Sequence, residues 1–478
     1  MLWLWCILAA LALLLAVALL RAARFTPKPQ GGAAPLPFEP DGGRAVESLR
    51  RMVRVPTVSR LDKSLEDPAP FEAFPKLLEE LYPNVHKACS LEKPGPRSLL
   101  YLWKGKSGGA PTVLMAHYDV VPADGAAWEK PPFEGVIENG LLWGRGTLDT
   151  KITLCGVMEA AEALIARGFV PENDVYFSFG GDEEIAGEGA PAIVRLLEER
   201  GVRPALVVDE GGAVVEGVFP GVAAPCALVG TGEKGLMDVE LSMVSQGGHA
   251  SAPPPHTLVG RLARAAVRVE AKPFPSRLTR PAAEMFDTLG RHSTFLYRLI
   301  FANLWLFRPV LDSMCKKKGG ELNALLRTTC AFTMMEGSPA TNVLPPAARM
   351  VANLRLVGGD TTESAVEYLK RAIGDPDIAI RKLHGSEPSP FSDTASPGWA
   401  KLKAAIRGTW PEALVSPYLM IACSDSRHFC RICGNVMRFS AMALTTAERG
   451  YIHGHNERVP LKTIETTVAF YLRLLALC

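Results

Sequence analysis

The apolar residues of this chain gather in short, nearly unbroken runs, and several of those runs stop at polar, mostly acidic residues. Thr112-Val113-Leu114-Met115-Ala116 gives way to His117-Tyr118-Asp119. Val175-Tyr176-Phe177-Ser178-Phe179 ends at Gly180-Gly181-Asp182-Glu183-Glu184, and Ala205-Leu206-Val207-Val208 at Asp209-Glu210. Runs this short, apolar at consecutive positions, predict strands covered on both faces. Between the first two runs the period changes. Leu154, Val157, Met158, Ala161 and Leu164 recur at helical spacing, so residues 149–167 are predicted to be a helix with Gly168 as its stop. Residues 45–55 also have a helical period. Strands alternating with such helices predict an α/β domain, a mostly parallel sheet flanked by helices.

After Gly232 the pattern is different. Residues 236–244 alternate as a half-buried strand, residues 257–269 read as a helix, and 328–335 and 349–357 read as strands. A helix over 361–373 and a strand over 378–383 follow. That β-α-β-β-α-β order predicts an inserted α+β ferredoxin-like unit. The chain then divides into an N-terminal segment (1–24), a Pro/Gly-rich linker (25–43), a first part of the main domain (44–232), the inserted unit (233–384) and a second part of the main domain (385–478). Within the insert, residues 295–314 are apolar and aromatic, with Trp305, Phe307 and Leu311. Arg298 and Arg308 interrupt them, which argues against a membrane span. A packed helix is expected there; a greasy wall for an acyl chain or a membrane-facing surface is the other use of such a stripe.

Residues 1–20 carry no charge. A helix of that length spans roughly 30 Å, enough for a bilayer core. A single-pass anchor is expected rather than a cleaved signal peptide, because no basic residues precede the apolar run and Arg21 and Arg24 spoil a cleavage site. Arg21, Arg24 and Lys28 tend to hold their flank in the cytoplasm. Over 478 residues, 52 Lys+Arg nearly balance 50 Asp+Glu, which gives no support for a nucleic-acid partner. The ten cysteines are scattered. Cys430-Arg431-Ile432-Cys433 lacks the second ligand pair of a zinc knuckle, so ordinary, mostly buried thiols are expected.

The polar residues at the strand ends carry the chemistry. In open α/β sheets the carboxyl ends of strands frame the ligand crevice, so these side chains should converge. Histidine and carboxylates without thiolate suit Zn²⁺ or a similar divalent metal at a catalytic site. So many carboxylates together repel one another unless cations neutralise them.

The ordered stretches His117-Tyr118-Asp119, Gly144-Arg145-Gly146-Thr147-Leu148-Asp149, Asp182-Glu183-Glu184, Asp209-Glu210-Gly211-Gly212, Gly247-Gly248-His249-Ala250-Ser251, Ser424-Asp425-Ser426-Arg427 and His453-Gly454-His455-Asn456-Glu457 resemble the di-zinc aminoacylase/carboxypeptidase S family of metallopeptidases. The resemblance runs from about residue 45 to about residue 475. It implies two zinc ions, with Asp149 bridging, His117 and Asp209 on one ion, and Glu184 and His453 on the other. Glu183 would be the general base, and Asp119 would fix the ring of His117. The insert would be a lid and dimerisation domain that brings His249 to the oxyanion of a facing site. Asn342 and Arg355 would hold the substrate carboxylate, with Arg427 a second candidate. Residue chemistry alone does not choose between His453 and His455, or between Asp209 and Glu210; the family register favours His453 and Asp209. Thr150 stands where relatives often carry an acid, and a non-proline cis peptide after the bridging Asp belongs to the resembled fold. The remaining histidines are expected to be structural or solvated.

The expected activity is metal-dependent hydrolysis of the amide of N-acyl-amino acids or short peptides, reversible in principle, by a homodimer tethered to a membrane. The alternatives are a dipeptidase or carboxypeptidase without lipid preference, and an inactive binding protein of the same fold. The resemblance implies a secreted or lumenal setting, opposite to the basic flank.

Overall fold

The computed structural model describes residues 2–123 and 125–478; Met1, the first residue of the expected anchor, lies outside them. The buried runs form the middle of an eight-stranded sheet. Its order is Cys89–Glu92, Leu99–Trp103, Val175–Gly180, Thr112–His117, Leu206–Val215, Val436–Leu444, Cys226–Glu233 and Leu414–Met420. The central neighbours Val175–Gly180, Thr112–His117, Leu206–Val215 and Val436–Leu444 run parallel. The two strands at the Cys89 edge are antiparallel. The helix Lys151–Ala166 starts just past Asp149 and is buried on almost every side, because it packs between this sheet and the helix Leu461–Leu475. Its first residue, Lys151, donates to the carbonyls of Met52 and Val55 at 3.0 and 2.8 Å, which gives a fully buried amine two acceptors.

The chain leaves this sheet at Glu233 and enters a four-stranded antiparallel sheet at Gly235. That sheet has the order Thr329–Glu336, Ala347–Leu356, Gly235–Val244, Ala379–Ser386, with the helices Leu258–Ala271 and Thr362–Ile373 between its strands in sequence. This is the ferredoxin-like order. Strand alternation decides its two faces: Met237, Val239, Leu241 and Met243 join a core with Leu262, Ala265 and Leu369, while Asp238, Glu240 and Ser242 turn to the other face. A capping box at Thr361–Ser364 starts the second helix, and Gly374, at φ 59°, ends it.

The aromatic stretch forms two helices rather than one, Phe295–Phe301 and Leu304–Lys318, followed by Gly320–Leu326. They pack on a third core with Phe219, Met285, Phe286 and Leu289. Much of the stretch stays exposed, so it is only in part the packed element expected. Among the described residues one helix, Leu2–Arg24, is long and apolar enough to cross a membrane. All ten cysteines are free.

Candidate metal centre and active site

His117 is the last residue of its strand, and Glu183 and Glu184 form a single 3₁₀ turn just past Gly180. Ladder pairing between Thr112–His117 and Leu206–Val215 stops at Val208, so Asp209 and Glu210 lie at the same end of the sheet. Asp149 closes the loop before Lys151, and the Asp149–Thr150 peptide is cis. His453 comes from a turn before the strand Arg458–Pro460, and its φ is 59°. Five separated segments thus meet at one crevice.

The two oxygens of Asp149 face different histidines. Oδ1 is 3.1 Å from His117 Nε2, and Oδ2 is 2.8 Å from His453 Nε2. His453 Nε2 is also 3.2 Å from Glu184 Oε2. Of the two histidines left open by sequence, His453 therefore faces the carboxylates, and His455 makes none of these contacts. His117, Asp149 and Glu184 present donor atoms within 4.8 Å of one another, and so do His117, Glu183 and Glu210. Glu184 Oε1 is buried without a hydrogen-bond partner among the described residues. An unpartnered carboxylate oxygen among N and O donors, with no thiol, fits a divalent metal.

Here the structure departs from the expectation for Asp209. Successive side chains on a strand point to opposite sides. Glu210 Oε1 lies 3.4 Å from His117 Nε2, whereas Asp209 Oδ2 accepts the backbone N–H of Ser426 at 3.0 Å. Asp209 is tied to the Ser424–Ser426 segment beneath the crevice, and Glu210 faces into it.

Asp119 has two tasks rather than one. His117 Nδ1 lies 3.0 Å from the Asp119 carbonyl oxygen and 3.4 Å from its carboxylate. That carboxylate accepts the backbone N–H groups of Glu183 and Glu184, each at 3.2 Å. It thereby orients both the histidine and the acidic turn.

Sequence reasoning left Arg145 and Glu457 without a role. Glu457 is fully buried, and its Oε1 accepts the N–H groups of Gly146, Leu148 and Asp149 at 3.1, 2.7 and 3.3 Å. Its Oε2 accepts from Arg145 at 2.7 Å, and Arg145 also donates to the carbonyl of Gly454 at 2.9 Å. The pair locks the Asp149 loop to the His453 loop. The signal was present, because both residues lie inside the quoted motifs, but an acid that works through backbone N–H groups has no mark of its own.

The electrostatics match a crowded acidic site. Burial pushes the Glu183 carboxyl well above the usual carboxylate range, opposed by His117 and reinforced by the charges of Glu210, Asp425 and Glu184. Glu210 is pushed up by burial and then by Asp149. Burial also acts on Asp149, but hydrogen bonds from His117 and His453 outweigh it and hold its carboxyl low. His453 is pushed up to about 10 by its hydrogen bonds to Asp149 and Glu184.

The insert residues expected at the site are divided between two places. His249 sits on a two-residue ladder, Gly248–His249 against Val343–Leu344, and Ala250 donates to the carbonyl of Asn342 at 3.0 Å. His249 and Asn342 are thus together, both exposed, beyond the Val244/Ala347 end of the lid sheet. Arg355 lies at the other end, opposite Leu236. Arg355 is eight steps along the strand from Ala347, about 27 Å at ~3.4 Å per residue. Arg355 instead contacts Cys423 at the base of the lid, two residues from Asp425, through a 3.6 Å hydrogen bond. Arg427 is half-buried, with its Nε 3.4 Å from His428 Nε2.

An apolar cavity of about 250 Å³ lies near the centre in sequence, although none of the candidate ligands lines it. It begins at Gly211 and Ile452, the neighbours of Glu210 and His453, and runs on between Phe219, Met285 and Leu325. Glu321 and Arg449, 3.2 Å apart, form its polar edge. A larger cleft of about 440 Å³, where residues 28–30 cross residues 283–292, contains none of the candidate ligands.

The sequence pattern described as peptidase family M20/M25/M40 matches residues 113–477. A probable carboxypeptidase S-like 2 of Dictyostelium discoideum is 37% identical over 413 residues, covering 85% of this chain and 79% of that protein. The N-fatty-acyl-amino acid synthase/hydrolase PM20D1 of Xenopus tropicalis is 35% identical over 443 residues, 91% of this chain and 86% of that one. Among solved structures, the M20 family metallo-carboxypeptidase Sso-CP2 of Sulfolobus solfataricus superposes with a TM-score of 0.62, covering 91% of this chain and 98% of that one. At 19% identity, that likeness is one of fold.

Proposed function

The chain belongs to peptidase family M20/M25/M40 and is a metal-dependent amide hydrolase; from that premise we propose that it cleaves N-acyl-amino acids with an apolar acyl group, at the amide beside a free-carboxylate residue. The observation that carries this reading is an apolar cavity lined by Gly211 and Ile452, the chain neighbours of Glu210 and His453 in the acidic two-histidine crevice. The cavity suits a hydrocarbon and the crevice suits the polar amide.

We assign two zinc ions to the crevice, with His117 and Glu210 on one side, Glu184 and His453 on the other, and Asp149 between. In the first group Glu210 stands where the family register put Asp209. Asp149 supports this because its two oxygens already face one histidine each. Metal held by these residues would supply polarisation of the scissile carbonyl and a lowered pKa for water. Glu183, whose carboxylate lies within 4.8 Å of ligand atoms of His117 and Glu210, takes the proton of the attacking water and returns it to the leaving amine. Asp119 positions His117 and the Glu183–Glu184 turn. Arg355 and Arg427 are the candidates for the substrate carboxylate, with Asn342 beside His249. The distance between Arg355 and the lid tip favours a His249 that serves the site of a second chain in a homodimer. Leu2–Arg24 is read as the membrane anchor. The same groups lower the barrier in both directions, so condensation of a fatty acid with an amino acid is the reverse reaction.

A carboxypeptidase acting on short peptides is the second reading, favoured by the name of the Dictyostelium relative. A series of N-acyl substrates of rising chain length, measured beside dipeptides, separates the two. Each methylene that enters the cavity should raise kcat/KM about fourfold, from ~0.8 kcal/mol per buried CH₂, until the cavity is full. Chain-length independence with faster dipeptide cleavage would leave the carboxypeptidase.

A further inference from the structure

The helices Phe295–Phe301 and Leu304–Lys318 carry exposed apolar side chains that the proposed chemistry does not use. Leu296 is 68% exposed, Trp305 57% and Met314 62%, with Tyr297 and Val310 beside them in sequence. A soluble surface rarely gathers such residues without a partner.

What covers them is indicated by the neighbouring helix. Residues near the start of Leu2–Arg24 stand clear of the body, whereas Ala18 and Ala22, one turn apart, are buried. The helix docks there by its last turns only. Asn303 donates to the carbonyl of Ala18 at 3.0 Å, and Arg21 Nε donates to the carbonyl of Ala302 at 3.1 Å. In a membrane-spanning helix the first flanking arginines lie near headgroup level. Arg21 therefore fixes that level at Ala302, the joint between the two insert helices. Tyr297 and Trp305 lie on either side of this joint, and both residue types favour the interface between lipid and water. Lys317 and Lys318, exposed at the far end, add positive charge suited to anionic headgroups.

We infer that the exposed apolar faces of Phe295–Phe301 and Leu304–Lys318 rest in the interface of a lipid bilayer, next to the point where Leu2–Arg24 enters it. The enzyme is then held by two contacts rather than swinging on a linker, and its orientation to the membrane is set. The same group of insert helices, through Leu322 and Leu325, lines the apolar cavity, so a hydrocarbon chain meets the enzyme on the side where it is dissolved. The inference rests on the reading of Leu2–Arg24 as an anchor.

The test uses the full-length chain in vesicles of phosphatidylcholine and phosphatidylserine. With Cys6 replaced by Ser, since Cys6 is the exposed thiol, a fluorophore is attached in turn to Leu296→Cys, Trp305→Cys, Met314→Cys and, as a reference, Leu61→Cys, which is exposed in the other domain. The three insert labels should lose most of their emission to lipids brominated on the acyl chain and be shielded from aqueous iodide. The Leu61→Cys label should show the reverse. Insert labels quenched by iodide as strongly as the reference would overturn the inference. So would labels shielded from iodide but untouched by brominated lipid, the signature of a second copy of the chain on this face. Extraction of the vesicles with alkaline carbonate reads the anchor separately: release of the protein sinks the anchor reading, whatever the quenching shows. Unchanged melting of each labelled variant in detergent confirms that the fold is intact.

Discussion

His117 and His249 are assigned to one reaction and occupy opposite surroundings. His117 is 3% exposed, and the Asp119 carbonyl, Asp149 and Glu210 surround its ring. His249 is exposed on a two-residue ladder, and its Nδ1 pairs with the N–H and hydroxyl of Ser251. The metal half of the site is assembled within one domain before any substrate arrives. On the proposed assignment the His249 half would be delivered by closure or by a partner, and its removal should leave the metal half undisturbed. That separation is open to direct attack.

The largest effect belongs to the metal half. Exhaustive chelation should abolish hydrolysis of an N-acyl-amino acid, and readdition of zinc should restore it. Within that half, Glu183→Gln should keep its metal while turnover falls roughly 10²–10⁴-fold, the range for loss of a general base. Glu184→Gln should lose metal as well. Elemental analysis beside the turnover assay separates the two, and equal metal loss would show that the roles are not divided.

Next comes the delivered half. His249→Ala should cut turnover by roughly 10²–10³-fold, as for a lost oxyanion donor, with metal content unchanged. Mixed with Glu183→Gln chains under subunit exchange, it should recover about a quarter of wild-type activity if the histidine acts across a two-fold axis. Metal loss in His249→Ala would collapse the distinction between the halves, and no recovery despite exchange would keep the residue in its own chain.

A smaller effect tests which acid faces His117. Glu210→Gln should weaken metal binding by more than Asp209→Asn, whose loss should cost roughly 10–100-fold because it acts by orienting others. Competition with a zinc-sensitive chelator measures both, and the reverse order would restore the family register.

The smallest concerns the joint between the halves. Lys234, between the two sheets, donates to the carbonyl of Arg327 at 2.8 Å, and burial lowers its pKa from 10.5 to about 7. Between those values the unfolded chain holds a proton that the folded chain lacks, so stability rises with pH, by up to ~1.4 kcal/mol per unit. Lys234→Met should remove that slope in denaturation curves taken between pH 7 and 9. The similar contribution of Lys151, also lowered to about 7 by burial, would remain. An unaltered slope would mean that Lys234 stays charged.

The parts legible in the sequence were those whose burial is simple. A strand covered on both faces must be apolar throughout, so Thr112–His117 and Val175–Gly180 announced themselves, and the alternating lid strand Gly235–Val244 did so by its period. Leu414–Met420 contains Pro417, and Cys226–Glu233 ends in Gly230-Thr231-Gly232, so neither stood out although both complete the main sheet. The ligand segments were readable because they abut buried strands. The choice between Asp209 and Glu210 was not, because it depends on which side of one strand the crevice opens. The low burial of residues 295–314 was equally hidden, since an apolar stripe reads the same whether protein or lipid covers it.

The clamp between Arg145 and Glu457 also sets an order of events during synthesis. Asp149 and Glu457 are 308 residues apart in sequence. Contacts that distant form late, because a long loop must close before they contribute. The emerging polypeptide thus carries His117, Asp149, Glu184 and Glu210 well before His453 and Glu457 leave the ribosome. A chain halted in that interval has a half-built nest of acids and nothing to hold its bridging loop. On the proposed assignment ion loading would be a late step of biogenesis, since a C-terminal truncation that spares every strand of the main sheet removes His453, Glu457 and the core helix Leu461–Leu475 together.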